Sequence, residues 1–179
     1  ACTGHLGLEA ARRTADLAGG LLGVSAEEVL VNSTGVIGVP LPMERIESGL
    51  PVATGALSPS GWDDAAHAIM TTDTVAKRAS AVLEDENITV CGIAKGAGMI
   101  APNMATMLSF IATDANVTPD QLSECLQHAV TRSFNCVTVD GDMSTNDTVL
   151  LLANGAAGTP LTGSDLASFQ EALDAVCIS

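Results

Sequence analysis

The sequence is poor in aromatic residues, with three Phe, one Trp and no Tyr among its 179 residues. Hydrophobic residues nevertheless make up 47% of the chain, so the core must come mainly from Ala, Val, Leu, Ile and Met. A chain of this length can bury a core of ordinary size. The hydrophobic content argues against an intrinsically disordered chain, which has too little apolar surface to fold.

Positive charge is also scarce. Seven Lys and Arg stand against 21 Asp and Glu, which gives a net charge of −14 at pH 7. Nucleic acids and anionic membrane surfaces are bound through clustered cations. We therefore predict no nucleic-acid partner and no membrane partner. The sequence also lacks an apolar run of about 20 residues, the length that a membrane-spanning helix needs.

Familiar cysteine and metal motifs are missing as well. The five Cys form no Cys-x-x-Cys pair, and Cys2 with His5 has no second pair at ligand spacing. The start of the sequence has neither the basic nor the apolar part of an export signal. We therefore expect reduced thiols and a cytoplasmic location, and we predict no metal site.

Apolar periodicity predicts several helices and short strands. Helices are predicted over 8–22, from Pro42 through Leu50, over 65–70 after a capping box at Ser60 and Asp63, from Thr118 through Val130, and over 166–176. Strands are predicted over 29–31, 88–93, 136–139 and 148–153, with a further apolar stretch over 107–112. Because these elements follow no strict strand–helix–strand rhythm, we predict a mixed α/β fold and not a Rossmann-like sheet.

Two motifs resemble known ligand-binding loops but do not match the sequence patterns that those loops require. In Lys95-Gly-Ala-Gly98 the Lys precedes the glycines, whereas a phosphate-binding P-loop needs it after them. The segment 140–147 is rich in Asp but has Thr145 and Leu151 where a calcium-binding EF-hand needs Gly and Glu. This segment is either a polar loop bonded to its own backbone or a loop that supports a site.

Threonine chemistry is the remaining candidate. A Thr hydroxyl becomes a useful nucleophile when its own α-amine acts as the adjacent base, which requires Thr at an N-terminus. Such an amine titrates near ~8 and can accept a proton at neutral pH. An internal Thr such as Thr106 gains a free α-amine only if the chain is cut just before it. The sequence pattern around Thr106 alone indicates a structural residue.

The run from Lys95 to Phe110 closely resembles the self-cleavage segment of the ornithine acetyltransferase family, also called glutamate N-acetyltransferases, of the arginine pathway. Three further segments agree in the order that the family has. They are Asn32–Gly38 with Leu41–Met43, Ala68–Thr74, and Asp140–Thr148. Together with Ala1–Gly4, the resemblance covers essentially all of the chain.

The resemblance implies a precursor that cuts itself between Ala105 and Thr106. Residues 1–105 would then be the end of the α-chain portion and residues 106–179 the start of the β-chain portion of one structural unit. Thr106 would be the nucleophile that accepts an acetyl group from N-acetylornithine and passes it to glutamate.

Other site residues follow from the same resemblance. Thr34 and Gly35 match the family's oxyanion hole, while Thr72 and Lys95 match substrate-binding positions, to which Thr106 also belongs. We expect further family site residues before Ala1 and after Ser179.

The resemblance also implies paired α and β chains in a larger homo-oligomer. It implies no cofactor, although some members accept acetyl-CoA as the acetyl donor. Two alternatives stay open: a self-processing amidohydrolase or aminopeptidase with an N-terminal Thr, and an uncut fragment without catalytic activity.

Overall fold

The computed structural model describes residues 1–85, 87–98, 107–142 and 144–179. The chain divides into two compact units, Ala1–Gly61 and Trp62–Ser179. The predicted mixed α/β class is confirmed, since helices occur in both units and the second unit contains a sheet.

The first unit is helical. Helix α1 spans Gly4–Leu22 and helix α2 spans Met43–Gly55, and the two helices contact each other. Helix α1 ends at Gly23, whose φ of 72° is the left-handed conformation that glycine adopts without strain. A short 3₁₀ turn, Ala26–Glu28, follows it and carries a capping box between Ser25 and Glu28.

The strand predicted over 29–31 is wrong. Val29 has an extended backbone with φ −99° and ψ 115°, but its N–H bonds back to the carbonyl of Ala26. No strand of the described residues pairs with this segment. An extended segment becomes a strand only when a neighbouring strand accepts and donates its backbone hydrogen bonds.

The second unit is built on a four-stranded sheet in the order β1-β2-β3-β4. The strands span Lys77–Leu83 (β1), Ile88–Lys95 (β2), Leu108–Thr113 (β3) and Thr148–Ala153 (β4). Strand β2 is antiparallel to both β1 and β3, whereas β4 is parallel to β3. The register therefore brings the start of β1, the end of β2 and the starts of β3 and β4 to one end of the sheet.

Three helices complete this unit. They are α3 over Trp62–Ala68, α4 over Pro119–Arg132 and α5 over Gly163–Ile178. Helix α5 packs on β1 and β2, and α4 packs on β4. The core between them contains Val90, Ile111, Phe169 and Leu173, each no more than 2% exposed.

Local sequence signals predict the helices well. Thr118 and Gln121 form the predicted capping box, in which the Gln121 N–H donates to Thr118 Oγ1 and the Thr118 N–H donates to Gln121 Oε1. The predicted α1, α2 and α5 are also confirmed. The capping box predicted at Ser60 is wrong, because α3 begins at Trp62 and Ser60 lies too early to cap it.

One further strand prediction is wrong, and one strand was not predicted. Residues 136–139 do not form a strand: a 3₁₀ turn spans Phe134–Cys136, and Val137 and Val139 are exposed. Strand β1 was not predicted, although its inward-facing residues alternate with exposed ones as in any edge strand. Its small, charged sequence carries little apolar signal. None of the helices in the described residues combines the length and apolar content that a bilayer crossing requires.

Candidate functional site

The structure brings two of the predicted substrate-binding residues to the same end of the sheet. Lys95 is the last residue of β2, and Thr72 lies in the loop before β1. Thr34 and Gly35 lie in the irregular segment between α1 and α2 of the first unit. Ala105 and Thr106 lie outside the described residues.

Asp73 connects the loop before β1 to the end of β2. Its carboxylate Oδ1 accepts a hydrogen bond from the Gly96 N–H at 2.7 Å, and the Lys77 ammonium also donates to it. The Asp73 side chain is completely buried. Because Thr72 precedes Asp73 and Lys95 precedes Gly96, this contact places the two predicted substrate-binding residues near each other.

Burial would raise the pKa of the Asp73 carboxyl, but several hydrogen bonds outweigh it. The Lys77 ammonium and the N–H groups of Gly96 and Thr71 donate to the carboxylate, so its pKa lies below the ordinary value. Asp73 is therefore ionised at neutral pH.

Lys95 is a buried lysine, with only 2% of its surface exposed. Burial lowers the pKa of its ammonium, and the negative charges of Asp73 and Asp147 oppose that shift. Lysine is almost never fully buried without a compensating charge. Among the described residues, the charges of Asp73 and Asp147 favour the ionised form of this ammonium, and Thr72, which precedes Asp73, is exposed.

Asp147 provides a second connection at the same end of the sheet. Its Oδ1 accepts a hydrogen bond from the Met107 N–H at 2.8 Å, across 40 residues of sequence. Burial raises the pKa of Asp147, while hydrogen bonds from Met107 and Ser144 and the charge of Lys95 oppose the rise. Sequence reasoning did not name Asp147 or Asp73 individually, because each acts on a residue far away in the chain.

The polar segment 140–147 bonds in part to its own backbone, as one of its two interpretations predicts. Within the segment, the Asp142 N–H donates to Asp140 Oδ1 and the Asn146 N–H donates to Ser144 Oγ. At its end, Asp147 reaches the start of β3.

Gly35 lies in open surroundings. A methyl group in place of its α-hydrogen would meet no other atom within 4 Å. Gly35 is exposed and Thr34 is half-buried. The packing of the first unit therefore does not require a glycine at this position.

The second unit also has two cavities, the first of which is lined in part by Lys77, the partner of Asp73. One of about 310 Å³ is lined by Ala79, Gly92 and Val176, among others. Another of about 400 Å³ lies beside Trp62 and Ile93. Neither is lined by Thr72, Lys95 or Asp147.

The described residues offer little evidence for a metal site or for a reactive cysteine. Within them, no group of three or more His, Cys, Asp or Glu side chains is arranged to hold a metal ion. All five cysteines are free. Burial raises the pKa of Cys177 to about 11, so this thiol is not an activated nucleophile.

Comparisons with known proteins agree on one family. A family model described as "ArgJ family" matches residues 1–179. The arginine biosynthesis bifunctional protein ArgJ of Symbiobacterium thermophilum is 55% identical over 183 residues, which cover 99% of this chain and 46% of the relative. The protein of the same name from Geobacter sulfurreducens is 52% identical over 184 residues, covering 100% of this chain and 47% of the relative.

A solved structure is similar too. The crystal structure of arginine biosynthesis bifunctional protein ArgJ from Bacillus halodurans has a TM-score of 0.50 and 39% identity, over 58% of this chain and 56% of that one. The present chain spans about half the length of the curated relatives it matches.

Proposed function

Since this chain belongs to the ArgJ family, we propose that it forms part of an acetyltransferase of arginine biosynthesis. The proposed reaction moves an acetyl group from N-acetylornithine to glutamate through an acetyl ester on Thr106. The structural observation that carries the proposal is the burial of Lys95, whose ammonium is favoured by the negative charges of Asp73 and Asp147. Lys95 stands at the end of β2, in the sheet whose next strand begins two residues after Thr106.

The nucleophile requires a cut in the chain. Hydrolysis of the Ala105–Thr106 peptide bond consumes one water and leaves a carboxylate on Ala105 and a free α-amine on Thr106. That amine can then take the proton of the Thr106 hydroxyl as the oxygen attacks a carbonyl carbon.

Acetyl transfer proceeds in two balanced halves. Thr106 Oγ forms a bond to the acetyl carbon of N-acetylornithine, the carbon–nitrogen bond breaks, and the proton held by the Thr106 amine passes to the departing ornithine amine. The neutral amine of glutamate then attacks the acetyl ester, and its proton returns to the Thr106 oxygen. A covalent acetyl-enzyme of this kind predicts ping-pong kinetics.

Thr34 and Gly35 would stabilise the tetrahedral oxyanion that forms in each half. The Thr34 hydroxyl and the Gly35 N–H can supply two donors, and losing one such donor raises a barrier by about 3 kcal/mol. Gly35 suits this role because its missing Cβ lets a substrate approach the backbone closely, and no described atom lies within 4 Å of the place where a Cβ would be.

Lys95 would bind the carboxylate that both substrates carry. Its ammonium lies in a site from which water is largely excluded, where a charge-assisted hydrogen bond is strong. The exposed hydroxyl of Thr72, held near Lys95 by the Asp73–Gly96 contact, would hydrogen-bond the substrate amide.

The cut would not separate the two products. Strands β2 and β3 precede and follow the proposed cleavage position, and they pair from Lys95 with Leu108 to Val90 with Thr113. Residues 1–105 and 106–179 would therefore share one sheet as an α and a β chain. We further propose a larger homo-oligomer in the cytoplasm, without a cofactor, and acetyl-CoA as an alternative acetyl donor.

The first experiment is intact mass spectrometry of the complete protein produced from its natural gene, beside Thr106→Ala. We expect two fragments with a junction between Ala105 and Thr106, and one uncut mass for the variant. N-acetylornithine should then add one acetyl group to the fragment that begins with Thr106. One uncut mass in both samples would contradict the mechanism and favour the uncut, non-catalytic alternative.

A kinetic comparison separates the transferase from an amidohydrolase or aminopeptidase. In a transferase, glutamate accelerates the loss of N-acetylornithine because it removes the acetyl group from Thr106. If water were the acceptor, glutamate would leave that rate unchanged and acetate would accumulate.

A further inference from the structure

Asp147 and Thr148 together hold both backbone polar groups of Met107. The Asp147 carboxylate accepts a hydrogen bond from the Met107 N–H at 2.8 Å. The Thr148 N–H donates to the Met107 carbonyl at 3.0 Å. The pairing of β3 with β4 begins at Leu108 and Thr148. The hydrogen bond between Asp147 and Met107 therefore lies one residue before the paired strands.

We propose that Asp147 is a positioning residue for the N-terminal nucleophile, acting through the backbone of Met107. This inference rests on the proposed function. After the chain is cut, Thr106 keeps one covalent attachment, which is the bond from its carbonyl carbon to the Met107 nitrogen. A residue at a free chain end is poorly ordered unless the backbone next to it is held.

The Met107 nitrogen is an effective point at which to hold such a residue. The atoms of a peptide unit lie in one plane, so a hydrogen bond to this N–H restrains the unit that joins residue 106 to residue 107. A carboxylate is a suitable acceptor, because hydrogen bonds to an ionised group are about twice as strong as neutral ones. The acceptor is itself fixed by the hydroxyl of Ser144.

This role differs from that of the predicted site residues. Asp147 is a member of the polar segment that the resemblance includes, but the family roles named for this chain do not involve it. Its contact is with backbone, so its removal should disturb the geometry of attack more than the binding of substrate. A misplacement of about 1 Å at a reacting group can lower a rate about 100-fold.

The chain offers a matched control at the opposite end of the same strands. Asp114 Oδ1 accepts a hydrogen bond from the Thr89 N–H at 2.7 Å, where β2 begins and β3 ends. This contact has the same chemistry as the Asp147 contact and lies in the same sheet. It is at the far end from Lys95 and Met107.

The test compares Asp147→Ala, Asp147→Asn and Asp114→Ala in the complete protein. Each variant is measured for hydrogen exchange at the Met107 amide, for its cleaved fraction, and for kcat and KM with N-acetylornithine, with kcat expressed per cleaved chain. We expect Asp147→Ala to exchange faster at Met107 and to lose about 10- to 100-fold in kcat with KM little changed. Asp147→Asn retains an acceptor oxygen and should recover most of kcat, and it serves as the folded variant if Asp147→Ala does not fold. Asp114→Ala should resemble the parent protein in hydrogen exchange at Met107 and in kcat.

Each outcome decides the proposal. It is overturned if Asp147→Ala keeps the parent kcat, if Asp114→Ala loses as much, or if Asp147→Asn is no better than Asp147→Ala. If the parent shows no junction at Ala105 and Thr106, the proposed function itself has failed and the positioning role of Asp147 fails with it. Exchange at Met107 would then still report the contact, which distinguishes the two failures.

Discussion

The buried carboxylate of Asp73 accepts a hydrogen bond from the Gly96 N–H at 2.7 Å, across 23 residues of sequence. The contact joins the loop before β1 to the end of β2, beside the buried ammonium of Lys95. The negative charge of Asp73 favours the ionised form of the buried Lys95 ammonium.

Lys95→Gln should weaken the binding of both carboxylate-bearing substrates. We expect KM for N-acetylornithine and for glutamate to rise about 10- to 100-fold, since a buried charge-assisted hydrogen bond is lost. Steady-state kinetics would measure this. Lys77→Gln is the control, because Lys77 is a partly exposed lysine at the same end of the sheet and contacts Asp73. Equal effects of the two substitutions would contradict a specific role for Lys95.

Asp73→Asn should change the pH dependence of stability. The pKa of Asp73 is lowered in the folded protein, so its carboxylate contributes stability above the ordinary carboxyl pKa of about 3.9. That contribution is lost as the pH falls below this value and through the lowered pKa. The free energy of unfolding should therefore differ between parent and variant at pH 7, and the difference should shrink as the pH falls below the ordinary carboxyl pKa. Urea unfolding at several pH values measures it, and a constant difference down to pH 3 would contradict the assignment.

Gly35→Ala should reduce activity by more than its loss of stability explains. The added methyl group meets no described atom within 4 Å, but the φ of 159° is one that residues with a side chain rarely adopt, so we expect some fall in the thermal midpoint. If the Gly35 N–H stabilises the oxyanion, crowding by the methyl group should lower kcat, with a lost donor costing about 100-fold or more. Thr34→Ala tests the second donor in the same way. A fall in the thermal midpoint that accounts for the lost activity would argue against the oxyanion hole.

Thr118→Ala should destabilise the second unit through the start of α4. The Thr118 hydroxyl accepts a hydrogen bond from the Gln121 N–H, and loss of such a cap costs about 1 kcal/mol. Thermal or denaturant unfolding measures the change, and kcat should stay unaltered in the folded protein. Thr131→Ala is the control, because its hydroxyl only bonds the Gln127 carbonyl within the same helix. An equal loss in both variants would argue against the cap.

The helices could be predicted from sequence because their signals are local. The Thr118–Gln121 capping box needs partners only three residues apart, and the apolar stripe of α4 repeats within a few turns. Strands were harder to predict. Val29–Val31 has strand-like residues but no pairing partner among the described residues, whereas β1 is small and charged yet pairs with β2 along seven residues.

The fold class, the family and the candidate site residues Thr34, Gly35, Thr72, Lys95 and Thr106 could be predicted without coordinates, because ordered sequence motifs carry this information. The tertiary structure was needed to show that Lys95 is buried and that the charges of Asp73 and Asp147 act on its ammonium. It alone also joined Asp73 to Gly96 and Asp147 to Met107. These contacts span 23 and 40 residues of the chain. Strand register brings their partners together, and no local sequence pattern encodes that register.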